Sequence, residues 1–282
     1  MGKKIIRVIA VVLIPVVCLY LLTLLLTPKY VNDIPEGSMI AEYYKSEKNN
    51  DVLILGDCEV YENISTVKMW EEYGITSYIR GSSEQLIWQS YYLLEDTLKH
   101  ETPKVVVLSM LAMSETDAKS EAYNRMTLDG MRWSKSKWNS IKESMTEKET
   151  MGSYIFPLLR YHSRWSELSS DDIKYMFNKP KVTSNGYLMQ VGVRPVTTVP
   201  KVSPLANYTF SDRNYEYLDK IKDLCNEKGI KLVLIKAPSI FPHWYDEWES
   251  QIQDYANENN LLYLNMVDKA CLLYTSPSPR DS

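Results

Sequence analysis

The sequence predicts an α/β domain built on a parallel sheet with helices on both faces. Three observations predict it. Short apolar runs at 51–56, 75–80, 104–108, 231–235 and 261–266 have the length and content of buried strands. Helical patterns fall between them, and Gly56, Gly74, Gly81 and Gly229 punctuate the junctions. Strands that alternate with helices need crossover connections, which gives a parallel sheet covered on both sides.

The chain opens on a different signal. Residues 8–26 read VIAVVLIPVVCLYLLTLLL without a charge and follow Lys3, Lys4 and Arg7. A run of this length predicts a transmembrane helix, and the basic flank places its N-terminus in the cytoplasm. A cleaved signal peptide is the alternative. No small-x-small site follows the run and Pro28-Lys29 come directly after Thr27, which favours an uncleaved anchor. Pro15 in mid-span is tolerated in lipid. The expected organisation is an anchor over 1–27, a polar juxtamembrane linker over 28–50 and the α/β domain over 51–270. That arrangement is single-pass in the cell membrane, with the main domain extracytoplasmic.

Within the domain the first strand, 51–56, ends at a glycine. Residues 66–73 read as a helix closed by Gly74, and 75–80 as the second strand, ended by Gly81. Ser82 with Gln85 three residues on reads as a capping box for a helix carrying Leu86, Ile87, Tyr91, Leu94 and Leu98. The third strand is KVVVL at 104–108. Residues 115–205 break the rhythm with helical stretches at 138–145 and 170–177 and a Pro/Val/Thr-rich stretch at 179–204. They read as a helical insertion lying over the functional edge of the sheet. The rhythm resumes with an amphipathic helix at 212–227 stopped by Gly229, a strand at 231–235, a helix at 245–259 and a fifth strand at 261–266.

Composition narrows the function. The chain of 282 residues is 45% hydrophobic and 24% charged, which supports a packed core rather than disorder. A net charge of -4 leaves no polybasic footprint, so nucleic acid is excluded as the main ligand. Of four cysteines, Cys18 lies in the apolar run and Cys271 in the tail; Cys58 and Cys225 do not form a disulfide framework or zinc spacing. With three histidines (His100, His162 and His243), nothing points to a metal or another cofactor.

The last residues, 271–282, read CLLYTSPSPRDS and resemble a translated transposase-type sequencing adapter read in frame. The expectation is that native sequence is readable to about Ala270 and that the α/β domain is truncated there. A Ser/Pro-rich disordered tail is the plainer reading of the same string.

The most informative site is Gly56-Asp57-Cys58-Glu59, directly after the first strand. In an open parallel sheet, ligands sit at the carboxyl ends of the strands. A small nucleophile there has its own backbone N–H available to a substrate oxyanion. The same residues also read as a tight turn, with Gly for the bend, Asp as a helix cap and Cys as a small buried residue. Asp57 and Glu59 tend to raise the pKa of a neighbouring thiol, which opposes thiolate formation.

DVLILGDC, followed by a helix, a strand ending at Gly81 and a third strand at KVVVL, resembles the opening of the SGNH/GDSL hydrolase family. The likeness covers most of residues 51–110 and, more loosely, the later helix–strand units. It extends to membrane-anchored bacterial relatives that modify cell-wall polymers, of the DltD-like and alginate-acetylation kinds. The resemblance implies a flavodoxin-like three-layer fold. It places Cys58 where the family has its nucleophilic serine, with Asp57 beside it in the catalytic turn. It gives the oxyanion hole to the backbone N–H groups of Cys58 and Gly81, with Ser109 as the nearest match to the family's third block, whose Asn is missing. The family's Asp-x-x-His falls beyond the fifth strand, where the adapter-like string begins.

Lys236, Ser239 and His243 follow the fourth strand and are candidates for substrate binding at the same edge. His243, beside Trp244 and Tyr245, also reads as a loop histidine among aromatics. Two functions follow from the resemblance. One is an extracytoplasmic acyl esterase or O-acyltransferase acting on a cell-surface glycan or cell-wall polymer through an acyl-enzyme. The other is a catalytically retired scaffold that binds envelope glycan or a partner protein.

Overall fold

A computed structural model of the chain describes residues 2–189, 201–238 and 243–267, with side chains from Val11 onward. Five strands, β1 (Val52–Gly56), β2 (Ser77–Gly81), β3 (Val105–Ser109), β4 (Lys231–Lys236) and β5 (Leu262–Asn265), form one sheet in the order β2-β1-β3-β4-β5. All four pairings are parallel. This is the flavodoxin-like order, in which the direction of winding reverses between β1 and β3.

The helices are α1 (Gly2–Leu26), α2 (Glu36–Glu42), α3 (Cys58–Asn63), α4 (Thr66–Tyr73) and α5 (Ile87–Thr97). Those of the insertion are α6 (Glu121–Leu128), α7 (Lys135–Ser144), α8 (Met151–Ile155), α9 (Leu158–Tyr161) and α10 (Ser170–Lys174). The last two are α11 (Asp212–Glu227) and α12 (Asp246–Glu258). The period-2 alternation of the strands sorts the core into two faces. Leu53, Leu55, Val106, Leu108, Leu232 and Leu234 face the larger core, with residues of α5, α11 and α12. Val52, Ile54 and Ile79 face the smaller one, with Val60 and Tyr61 of α3 and Met39 of α2. That second face thins toward β5, where Leu262 is 55% exposed.

The sequence predicted a transmembrane helix at the N-terminus and, with it, a single-pass location in the cell membrane. Both expectations are corrected. Helix α1 forms, but among the described residues no helix is long and apolar enough to cross a membrane. The last turn of α1 is also tied to the domain. Lys29 donates to the carbonyls of Leu24 at 2.6 Å and Thr27 at 2.6 Å, Arg164 donates to the Leu26 carbonyl at 2.5 Å, and Leu26 is buried. The segment read as a linker contains α2, which buries Met39 and Ile40.

Smaller differences have local causes. Ser82 does not cap α5, which begins at Ile87; its hydroxyl donates to Gln85 Oε1 at 3.2 Å, and the Leu86 N–H is met instead by Gln89 Oε1 at 3.1 Å. The stretch at 170–177 forms only the short α10, ending at Lys174. The insertion packs α7 on α5 and also meets the strand-end edge of the sheet. There Lys119 pairs with Glu84 at 2.6 Å, and the Leu188 N–H donates to the Tyr61 carbonyl at 2.9 Å. The Ile79 N–H also donates to the Asn185 carbonyl at 2.9 Å, so the insertion covers the free edge of β2.

Candidate functional site

The carboxyl ends of β1, β2, β3 and β4 bring Gly56, Gly81, Ser109 and Lys236 to one edge of the sheet, on either side of the β1/β3 switch point. Gly56 has a positive φ of 153°, and a Cβ there would lie 2.5 Å from Ser109 Cβ. The backbone reverses at this point, and Asp57 takes an extended conformation as the cap of α3, accepting from the Glu59 N–H at 3.1 Å. Cys58 is the first residue of α3 and half-buried.

Electrostatics set the character of this turn. Asp57 is buried, and burial together with the neighbouring Glu59 raises its carboxyl to about 7. The Cys58 thiol is pushed up to about 12 by burial first, then by the charges of Asp57, Glu62, Glu59 and Glu84. Lys236, fully buried at the end of β4, donates to Glu59 Oε1 at 2.5 Å and to the Ala237 carbonyl at 2.9 Å. Its ammonium also lies 5.5 Å from the ring centre of Trp244, whose indole N–H donates to Glu249 Oε2 at 2.8 Å.

Of the residues that the sequence singled out, Asp57, Cys58, Gly81, Ser109 and Lys236 stand along this edge. Gly81 pairs in register with Gly56, and a Cβ at Gly81 would meet the Gly56 carbonyl at 2.9 Å. The close approach of two backbones therefore requires a glycine there. Ser109 is fully buried and its hydroxyl accepts from the Leu111 N–H at 3.4 Å. Ser239 lies outside the described residues. His243 is exposed, its ring packed edge-on against Tyr245 with centres 4.7 Å apart. The other histidines are engaged elsewhere: His100 against Tyr44, and His162 Nδ1 with the Leu158 carbonyl.

Sequence reasoning noted Glu59 only as a charge. The structure makes it the buried partner of Lys236, 177 residues away. The strand-end rule puts both on one edge, but no spacing signals the pair. It also missed the contact between the Tyr61 hydroxyl and Ser83 Oγ, 2.9 Å apart, which ties α3 to the loop after β2. Among the described residues no group of three His, Cys, Asp or Glu side chains is placed to hold a metal ion.

Comparison of the chain with protein-family models, curated proteins and solved structures finds no match in any of the three.

Proposed function

We propose that the chain is an SGNH-like scaffold that binds a glycan at its strand-end crevice, with the nucleophile position retired. The observation that carries this reading is the setting of Cys58: a half-buried thiol facing acidic neighbours, raised to about 12. At neutral pH a thiol with that pKa is ionised in roughly one molecule in 10⁵, so attack on an acyl carbon lacks its nucleophile. Lys236, the strand-end cation, is committed to Glu59, which leaves Asp57, Glu62 and Glu84 as further charges that raise the sulfur. The switch point between β1 and β3 supports a ligand crevice here, and the exposed ring of His243, edge-on to the half-buried Tyr245, adds an aromatic surface that suits a sugar face.

A second reading, acyl transfer, is favoured by one observation: Cys58 opens α3 directly after β1, where helix N–H groups face a developing oxyanion. In that mechanism Sγ adds to the ester carbonyl, the sugar or alcohol oxygen leaves with a proton, and water or a second hydroxyl releases the acyl group. It needs a base, which the resemblance assigns to an Asp-x-x-His after the fifth strand; the last histidine of this sequence is His243.

Two assays on the full chain separate the readings. Acylation by p-nitrophenyl acetate is followed by p-nitrophenolate release in the wild type and in Cys58→Ala. Binding to an array of neutral and O-acetylated polysaccharides is measured for the same pair. The scaffold reading expects equal release from both and glycan binding retained by Cys58→Ala. A Cys58-dependent burst reverses the order of the two readings, and absence of glycan binding removes the first.

A further inference from the structure

A cavity of about 570 Å³, lined by no residue of the Cys58 turn, lies between the last turn of α1, α2 and the segment after α10. Leu24, Met176 and Phe177 give it an apolar wall, and Lys29, Lys45, Lys179 and Lys181 also line it. A second cavity, of about 430 Å³ and lined by Asn49, Trp70 and Asn185, shares Lys45, Ser46 and Lys181 with the first. Lys45 and Lys181 therefore stand where an apolar space adjoins a polar one. The size is that of a ligand site rather than of a single ion.

Three of the four lysines in this wall have no ion-pair partner among the described residues. Lys29 has Asp172 at 3.8 Å, but among the described residues Lys45, Lys179 and Lys181 form no ion pair. Their ammonium groups donate only to neutral oxygens. Lys45 reaches Asn178 Oδ1 at 2.9 Å, Lys179 the Pro28 carbonyl at 3.3 Å and Lys181 Asn185 Oδ1 at 3.3 Å. The carboxylate of Glu42, also in the lining, is taken up by the Val182 N–H at 2.6 Å and the Thr183 hydroxyl at 2.6 Å. Burial first, then the charge of Lys29 and, less, that of Lys45, push the Lys179 ammonium down to about 8 against the opposing charge of Asp129. A concave apolar wall rimmed by Lys45 and Lys181, which form no ion pair among the described residues, attracts a molecule that has both an apolar body and a negative end.

We propose that these adjoining cavities bind a single-chain amphipathic anion, its acyl chain against Leu24, Met176 and Phe177 and its headgroup at Lys45 and Lys181. The carboxylate of a fatty acid and the phosphate of an alkyl phosphate share this chemistry. Neither requires the crevice at Cys58, so the site stands or falls apart from the glycan reading.

The test is calorimetric titration of the full chain with laurate, dodecyl phosphate, neutral glycerol monolaurate and inorganic phosphate, each kept below its micellar concentration. Saturable binding is expected for laurate or dodecyl phosphate, with the neutral ester at least about tenfold weaker and inorganic phosphate alone undetected. Lys45→Gln/Lys181→Gln changes two exposed side chains, so folding is preserved and checked by near-ultraviolet circular dichroism. It is expected to weaken the anion by about fivefold or more. Equal affinity for the neutral ester, equal binding of phosphate alone, wild-type affinity in the double variant, or no binding of either anion each overturns the proposal.

Discussion

The Lys236 ammonium and Glu59 Oε1 meet at 2.5 Å with both side chains closed off from solvent, tying the end of β4 to α3. The pair stands next to the Asp57–Cys58 turn and fixes the residue that follows the thiol. A cation that the sequence offers to a substrate is thereby part of the frame that holds the edge together. Its partner keeps a carboxylate beside Cys58 and contributes to the rise of both the thiol and Asp57.

Removal of one partner leaves the other buried without its counter-charge. Lys236→Met is expected to lower the unfolding free energy by about 3–5 kcal/mol, and Glu59→Leu in the same background to restore most of it. Urea denaturation of the two single variants and the double variant measures the coupling. Simple additivity of the two single losses would show that the pair is not energetically coupled.

The second expectation concerns the thiol itself. In a variant that keeps Cys58 alone among the cysteines, the rate of alkylation by iodoacetamide should climb with pH through about pH 11 without levelling off. An unperturbed thiol levels off above about pH 9. Asp57→Asn removes one of the charges behind the shift, retains a capping oxygen for α3, and should speed alkylation at pH 8. A plateau near pH 9 in the wild-type turn would instead reveal an activated sulfur and favour acyl transfer.

Asp57 also gives stability a pH dependence of definite sign. Its carboxyl is raised from 3.8 to about 7 in the fold, so between these values the folded state holds more of the proton than the unfolded chain does. Stability from this group is therefore full below about pH 4, falls as pH rises toward 7, and is flat beyond. The span corresponds to about 4 kcal/mol as an upper bound. Asp57→Asn should flatten the difference in urea midpoint between pH 4.5 and pH 7.5, and an unchanged difference would assign it to other groups.

Much of the fold was legible because its signals are local. The strand at 51–56 and the helix Thr66–Tyr73 with its Gly74 stop are written in apolar runs and a left-handed glycine, and they stand within a residue of where they were read. Ser82 was misread because a capping motif and a buried side-chain contact look alike in sequence; what decides is that Thr127, from the insertion, hydrogen-bonds the Ser82 hydroxyl. The apolar run at 8–26 reads as a spanning helix by composition alone, whereas its last turn is held by Lys29 and Arg164, contacts that hydropathy does not register. At the site, the turn at Asp57–Cys58 was visible from strand-end logic. The Lys236–Glu59 pair was not, since tertiary structure alone joins residues 177 apart.

The glycines at the site separate packing from chemistry. Gly56 sits at a φ that side chains rarely adopt, and an added Cβ would be 2.5 Å from Ser109 Cβ and 3.2 Å from Val60 Cγ1. Two costs combine in Gly56→Ala, backbone strain and overpacking, for an expected loss of about 2–4 kcal/mol. Adding Ser109→Gly removes the closest clash but leaves the strained φ, so the double variant should recover only part of that loss. Full recovery would mean that the backbone tolerates the substitution and that the clash alone matters; no recovery would place the whole cost in the backbone. Gly81→Ala tests the neighbouring strand in the same way, since its Cβ meets the Gly56 carbonyl, which can move only with β1. Alanine keeps the N–H that the family resemblance assigns to an oxyanion hole. A stability loss there, measured by urea denaturation, therefore reports the close approach of β1 and β2 and not the loss of a catalytic donor.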